Sequence, residues 1–327
     1  LRVATASMIY RFKQLKTDSS MWKIVSTPVY VLKSKLQWRN SLVTLIDKFL
    51  GMNTCGYVIT YVDDILVSST RDVVEAVLSA VKAIWTCSDG ECTYKDHQVT
   101  FCATRITKLL NGGYFLDQAP YTSDIVERHE VVNSSKQPIS PDECVLTDPK
   151  QKSQEEAANL ALQEMLPAVK AMDAVVKSAQ SIAGEVLWVS GRTRLDVAYA
   201  VSRCCSLATI EPARACRIGK CILRYLIATQ DHGMYYPGPE GLHTQADLYV
   251  KDFPSFVPFS QMFRSYSMVA FSDASYAPSA TNEVSIGGFI ITVAGAPVCW
   301  RCGKQELKSM STTESELQAA REGFTGT

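Results

Sequence analysis

Residues Gly56-Tyr57-Val58-Ile59-Thr60-Tyr61-Val62-Asp63-Asp64-Ile65-Leu66-Val67 decide the reading of this chain. The run up to Val62 is aromatic and β-branched and favours a strand. Ile65 to Val67 is a second short apolar run, closed by Ser68-Ser69-Thr70. Two strands meeting at an acidic pair make a β-hairpin with carboxylates at its tip. Like charges held between apolar strands repel in a low dielectric and call for compensation. A divalent cation is one compensation, and hard oxygen ligands suit Mg²⁺. An exposed turn, where Asp is common, is the other reading of the same residues.

The rest of the composition narrows the class. The chain has 327 residues, 46% hydrophobic and 20% charged, which excludes a mainly disordered protein and predicts two or three domains. Lys+Arg at 33 and Asp+Glu at 33 cancel, so no global basic field marks a nucleic-acid binder. No uninterrupted apolar stretch approaches the ~20 residues of a membrane span, and no membrane partner is expected. The opening residues do not resemble an export signal. The 11 cysteines, Cys204 and Cys205 adjacent among them, follow no framework spacing and read as reduced thiols of an intracellular protein. Both ends, Leu1 and Thr327, read as cuts.

Tyr61-Val62-Asp63-Asp64-Ile65-Leu66-Val67 resembles the YVDD box of reverse transcriptases, in the form used by copia-type LTR retrotransposons. Met21-Trp22-Lys23-Ile24 resembles the tryptophan segment upstream of that box. Val99-Thr100-Phe101-Cys102, Gly113-Tyr114-Phe115-Leu116-Asp117-Gln118 and Tyr121 resemble the stretch downstream. The resemblance implies that Asp63 and Asp64 are metal-site carboxylates of a polymerase, where two Mg²⁺ ions activate a 3′-hydroxyl and stabilise the leaving pyrophosphate. It also implies a further Asp from an earlier palm strand. The residues before Met21 are too few to hold that strand, and Asp18 and Asp47 sit in no suitable pattern, so this chain is not expected to polymerise alone.

Two cysteine patterns are weaker. Cys87, Cys92, His97 and Cys102 could supply four ligands to tetrahedral zinc, yet His97 to Phe101 alternates as a strand, which would spread them. Cys299-Trp300-Arg301-Cys302 is a lone CxxC and reads as strand residues.

Between residues 133 and 181 the composition shifts. Asn133 to Pro149 is polar with three prolines, and Gln151 to Lys177 reads as one or two helices interrupted at Pro167. Gly184-Glu185-Val186-Leu187-Trp188, Thr193-Arg194-Leu195-Asp196-Val197-Ala198-Tyr199-Ala200-Val201 and Ile222-Leu223-Arg224-Tyr225-Leu226 with Thr229 resemble the family's segments between polymerase and RNase H; Leu195 stands where the family has proline. Ile218, Cys221, Ile222, Tyr225 and Leu226 recur at helical spacing, with His232 and Gly233 as stop signals. From Arg192 to Arg224 there are seven basic residues against Asp196 and Glu211. Arg192, Arg194, Arg217, Lys220 and Arg224 are the candidate phosphate contacts, and a solvated helical face is the alternative.

The last sixty residues hold Val269-Ala270-Phe271-Ser272-Asp273-Ala274-Ser275, a strand ending in a carboxylate. Strands follow at Gly287 to Val293 and Pro297 to Trp300, then Ser311-Thr312-Thr313-Glu314-Ser315-Glu316-Leu317-Gln318-Ala319-Ala320 opens a helix. This order resembles the start of a copia-type RNase H, whose chemistry holds two Mg²⁺ ions at the scissile phosphate of an RNA–DNA hybrid. Ser311 and Glu314 form an S-x-x-E capping box, which leaves Glu316 beside Asp273 as the candidate nuclease carboxylates. The family's remaining Asp residues would lie beyond the chain.

The expectation is an α+β chain. It comprises a partial palm and thumb over 1–132, a linker and spacer helices over 133–180, a connection segment over 181–262, and the first half of an RNase H mixed sheet over 263–327. It would be part of a retrotransposon Pol polyprotein, acting on RNA template, DNA primer and their hybrid. The missing palm would come from elsewhere in the polyprotein, in a cytoplasmic virus-like particle or the nucleus. The alternative is a non-catalytic binding or interaction protein from a decayed element.

Overall fold

The hairpin predicted from Gly56 onward is present. Strand β4 (Thr54–Tyr61) returns as β5 (Asp64–Ser69) in antiparallel register, from Gly56 opposite Ser69 to Tyr61 opposite Asp64. The structure, a computed structural model, describes residues 2–4, 8–15, 18–28, 54–137, 168–238, 268–276, 284–293 and 295–325. Asp47 and the expected helical run from Gln151 to Pro167 lie outside them. The chain divides into two units, Leu1–Cys102 and Ala103–Thr327.

In the first unit, β1 (Arg2–Ala4), β2 (Met8–Gln14) and β3 (Met21–Pro28) precede the hairpin, and the five strands form an antiparallel meander in chain order. The tryptophan segment lies directly beside the acidic hairpin, Trp22 opposite Val58. Helix α1 (Arg71–Ile84) buries Val73 and Val77, four residues apart on one face, against Ile24 and Val58. A short helix α2 (Thr93–Asp96) and strand β6 (Gln98–Phe101) complete the unit.

The second unit is built around helices. Strands β7 (Thr104–Lys108) and β8 (Tyr114–Asp117) lead into α3 (Ala119–Arg128). Helix α4 covers Ala168–Ser190. A 3₁₀ turn (Leu195–Val197), α5 (Ala198–Leu207) and α6 (Pro212–Ala228) follow, and β9 (Met234–Tyr236) returns to pair with β8. Ile125, Ile182, Val186, Val201, Ile222 and Leu226 form one core across α3 to α6. Helix α6 stops at Ala228, before His232 and Gly233, because the Thr229 amide already turns back to Leu226 at 3.3 Å.

Strands β10 (Met268–Ser275), β11 (Ile286–Val293) and β12 (Ala296–Lys304) form a sheet with β11 central, and α7 (Thr312–Thr325) packs on it. The sheet was expected to be mixed; among the described residues it is wholly antiparallel. For β11 and β12 the two-residue connection permits only a hairpin. The α+β class holds, with three antiparallel sheets and seven helices among the described residues. No described helix is long and apolar enough to cross a membrane.

Candidate functional site

Pairing of Tyr61 with Asp64 leaves Val62 and Asp63 as a two-residue turn. Val62 is 89% exposed with φ at 50°, a conformation that glycine adopts freely and a β-branched residue resists. Asp63 is therefore at the turn and Asp64 opens β5, both exposed to solvent. The Asp64 carboxylate accepts a hydrogen bond from the Cys102 amide at 3.3 Å. Asp18 is turned to its own loop, taking the Ser20 amide at 2.8 Å and hydroxyl at 2.6 Å. Those two bonds hold its carboxyl below the usual range.

Among the described residues no group of three or more His, Cys, Asp or Glu is placed to hold a metal ion. The hairpin supplies two adjacent carboxylates, one fewer than the three that the resemblance implies. Cys87 is exposed while Cys92 and Cys102 are buried. Cys299 and Cys302, three apart on an unbroken stretch of β12, point to opposite faces. Burial pushes the Cys302 thiol up to about 11.

The two candidate nuclease residues are placed apart. On α7, Ser315, Ala319 and Gly323 face the sheet, and Gly323 lies against Phe289 and Ala270. By strand alternation Asp273, three residues from Ala270, is on the sheet face away from α7. There it lines an open cleft of about 420 Å³ with Leu195, Asp196, Tyr199, Phe271 and Trp300. Glu316 is exposed on the helix. Glu314 does cap: its amide donates to Ser311 Oγ at 3.2 Å, and its carboxylate accepts from the Met310 amide at 2.6 Å. Among the described residues neither carboxylate belongs to a group of three or more His, Cys, Asp or Glu placed to hold a metal ion.

The basic candidates divide sharply. Arg194 is 4% exposed. It holds Asp196 and Thr229, with its guanidinium 5.3 Å from the centre of the Tyr225 ring. That is an internal clamp and not a surface phosphate contact. Arg192 is exposed and stacks over Trp188 at 4.4 Å. Arg214, unnamed as a contact at the outset, is buried and pairs with Glu211 at 3.3 Å. Arg217 and Lys220 are exposed on α6, and Arg224, one turn on, is half-buried.

Sequence reasoning missed the links that join its own motifs. Asp117, 2% exposed, forks onto Arg105 at 2.8 and 3.0 Å. Its neighbour Gln118 accepts from the Thr193 hydroxyl at 3.0 Å, tying the segment at 113–118 to that at 193–196. The Trp300 indole donates to the Ser190 carbonyl at 2.8 Å. Glu185 on α4 receives both Arg128 and His129 from the end of α3.

The chain is 25% identical over 264 residues, 80% of its length, to the "Retrovirus-related Pol polyprotein from transposon RE2" of Arabidopsis thaliana. It is 28% identical over 127 residues, 39% of its length, to the corresponding polyprotein from transposon RE1 of the same plant. It spans 15% and 7% of these relatives. It is also 27% identical over 142 residues, 43% of its length, to "Secreted RxLR effector protein 161" of Plasmopara viticola, 83% of which the match covers. No family model matches the chain, and no solved structure matches it.

Proposed function

For a chain related to the Pol polyproteins of retrotransposons, we propose a piece running from the reverse-transcriptase metal hairpin into the first part of RNase H. The observation that carries this is the match over 80% of the chain; beside it stands the fold of Tyr61 to Asp64 as a hairpin with a two-residue turn next to the tryptophan strand. The parent reaction is RNA-templated DNA synthesis with cleavage of the RNA strand of the hybrid. Magnesium, when bound in the parent, would neutralise charge at the reacting phosphate. In this chain Asp63 and Asp64 would be two of its ligands, awaiting a third carboxylate from another palm strand. Asp273 and Glu316 would need rearrangement and further acids before they could serve a nuclease. The function retained is engagement of primer, template or hybrid through the exposed cations of α6, in an intracellular setting.

The test is binding of a labelled RNA–DNA hybrid over a salt series, alongside nucleotide incorporation with Mg²⁺. Three phosphate contacts give a log–log salt slope of about −2 to −3. Salt-independent or absent binding sinks the proposal. Incorporation that vanishes in Asp64→Asn would show the hairpin to be catalytic without outside help, contrary to the acid inventory.

A second reading has its own support. The effector matches less than half of this chain, yet that match covers 83% of the effector, so a segment of this kind makes up most of a protein named as a secreted effector. On that reading the chain is a non-catalytic interaction protein. Binding to a protein partner with no affinity for hybrid would favour it.

A further inference from the structure

We propose that Arg224, with Lys220 and Lys136, forms a seat for a single phosphate group; the inference rests on the nucleic-acid reading above and names the contact within it. Of the cations in this region, Arg194 and Arg214 are buried in ion pairs and Arg192 lies on Trp188. Arg224 differs from all three. Its Nε is buried without a hydrogen-bond partner, and no ion pair or ring contact engages its guanidinium among the described residues.

Leaving a guanidinium donor buried and unmet costs free energy that a native fold ordinarily avoids. A ligand oxygen would meet it once the side chain turned Nε toward solvent. Lys220 stands one turn earlier on the exposed stripe of α6. Lys136 is exposed and directly follows Ser135, whose amide donates to the Arg224 carbonyl at 3.1 Å. Neither α6 nor residues 131–137 contain an acidic side chain, so no internal carboxylate on these elements competes. A planar guanidinium with ammonium groups from a neighbouring turn and a neighbouring segment suits a tetrahedral oxyanion, as phosphodiester or as free phosphate.

The experiment uses the full chain. Arg224→Gln should weaken binding of an RNA–DNA hybrid roughly tenfold and reduce the salt slope by about 1. Lys108→Gln, an exposed cation elsewhere in the unit, should change neither by as much. Arg224→Lys should keep the slope and lose part of the affinity, and thermal melting of each variant separates binding from folding. Inorganic phosphate is titrated in parallel while the Arg224 Nε–H resonance is followed. A shift with phosphate but no hybrid binding keeps the seat and overturns the nucleic-acid reading. Hybrid binding that Arg224→Gln leaves unchanged overturns the seat and keeps that reading. No shift with either probe overturns the seat.

Discussion

The guanidinium of Arg194 grips both carboxylate oxygens of Asp196, Nε to Oδ1 at 3.0 Å and Nη2 to Oδ2 at 2.8 Å. The same group reaches 35 residues along the chain to the Thr229 carbonyl at 3.0 Å and hydroxyl at 2.7 Å. The Thr229 hydroxyl in turn donates to the Tyr225 carbonyl at 2.7 Å. One buried side chain therefore fastens the 3₁₀ turn to the C-terminal end of α6. Arg194→Ala strands the Thr229 acceptors and should cost about 3 kcal/mol, a melting-temperature loss of roughly 6–12 °C. Arg194→Lys, with no fork to span both partners, should recover little of it. A variant that melts like the parent would show that the clamp is not holding the helices together.

The same pair predicts an acid response. Burial pushes the Asp196 carboxyl up, but the hydrogen bond and charge of Arg194 outweigh burial and hold it below the usual carboxylate range. A carboxylate depressed in the folded state contributes stability above its unfolded pKa and loses it as pH falls through the folded value. The stability gap between the parent and Asp196→Asn should therefore be full at neutral pH and close progressively below about pH 4. Urea midpoints across that range check it, and a gap that persists into strong acid would place the stabilisation elsewhere.

These interactions mark where the sequence was legible and where it was not. Aromatic, β-branched and apolar runs announced β4 and β5, and the 3.6-residue recurrence of Ile218, Ile222 and Leu226 announced α6, because burial of one helix face imposes that period. Arg194 looked like any surface cation in a basic run; only Thr229, distant in sequence, reveals its role. Asp196 two residues on was the local cue, since an Arg so close to an acid can be committed internally. Asp273 and Glu316 could be picked by order and residue type, but their faces depend on α7 lying over Ala270 and Phe289. That is a tertiary choice no short window contains.

Helices α4 and α6 approach at Gly219, where an added Cβ would fall 2.7, 2.8 and 3.0 Å from the Cδ1, Cγ1 and Cγ2 of Ile182. Ile182 is 1% exposed and, being β-branched in a helix, has little rotamer freedom to yield. Gly219→Ala should thus destabilise by about 1–3 kcal/mol, although Ala is the better helix former. Ile182→Val trims the nearest of these contacts, so the double variant should lose less than the sum of the singles. An additive cycle in denaturant would mean that the two residues do not touch as described.

The hairpin tip carries a conformational cost that can be measured directly. Val62 sits at φ 50° between the paired residues Tyr61 and Asp64, where an L-residue loses roughly 1–2 kcal/mol and glycine loses none. Its side chain is 89% exposed, so removing it forfeits almost no burial. Val62→Gly should therefore stabilise the first unit by about 1 kcal/mol, once the added freedom of the unfolded glycine is set against the strain relieved. Val62→Ala relieves the β-branch alone and should fall between the two. Strain retained at an exposed turn beside two carboxylates fits a backbone fixed for the placement of Asp63 and Asp64. If denaturant midpoints show Val62→Gly no more stable than the parent, the turn is unstrained and that argument for a functional hairpin falls with it.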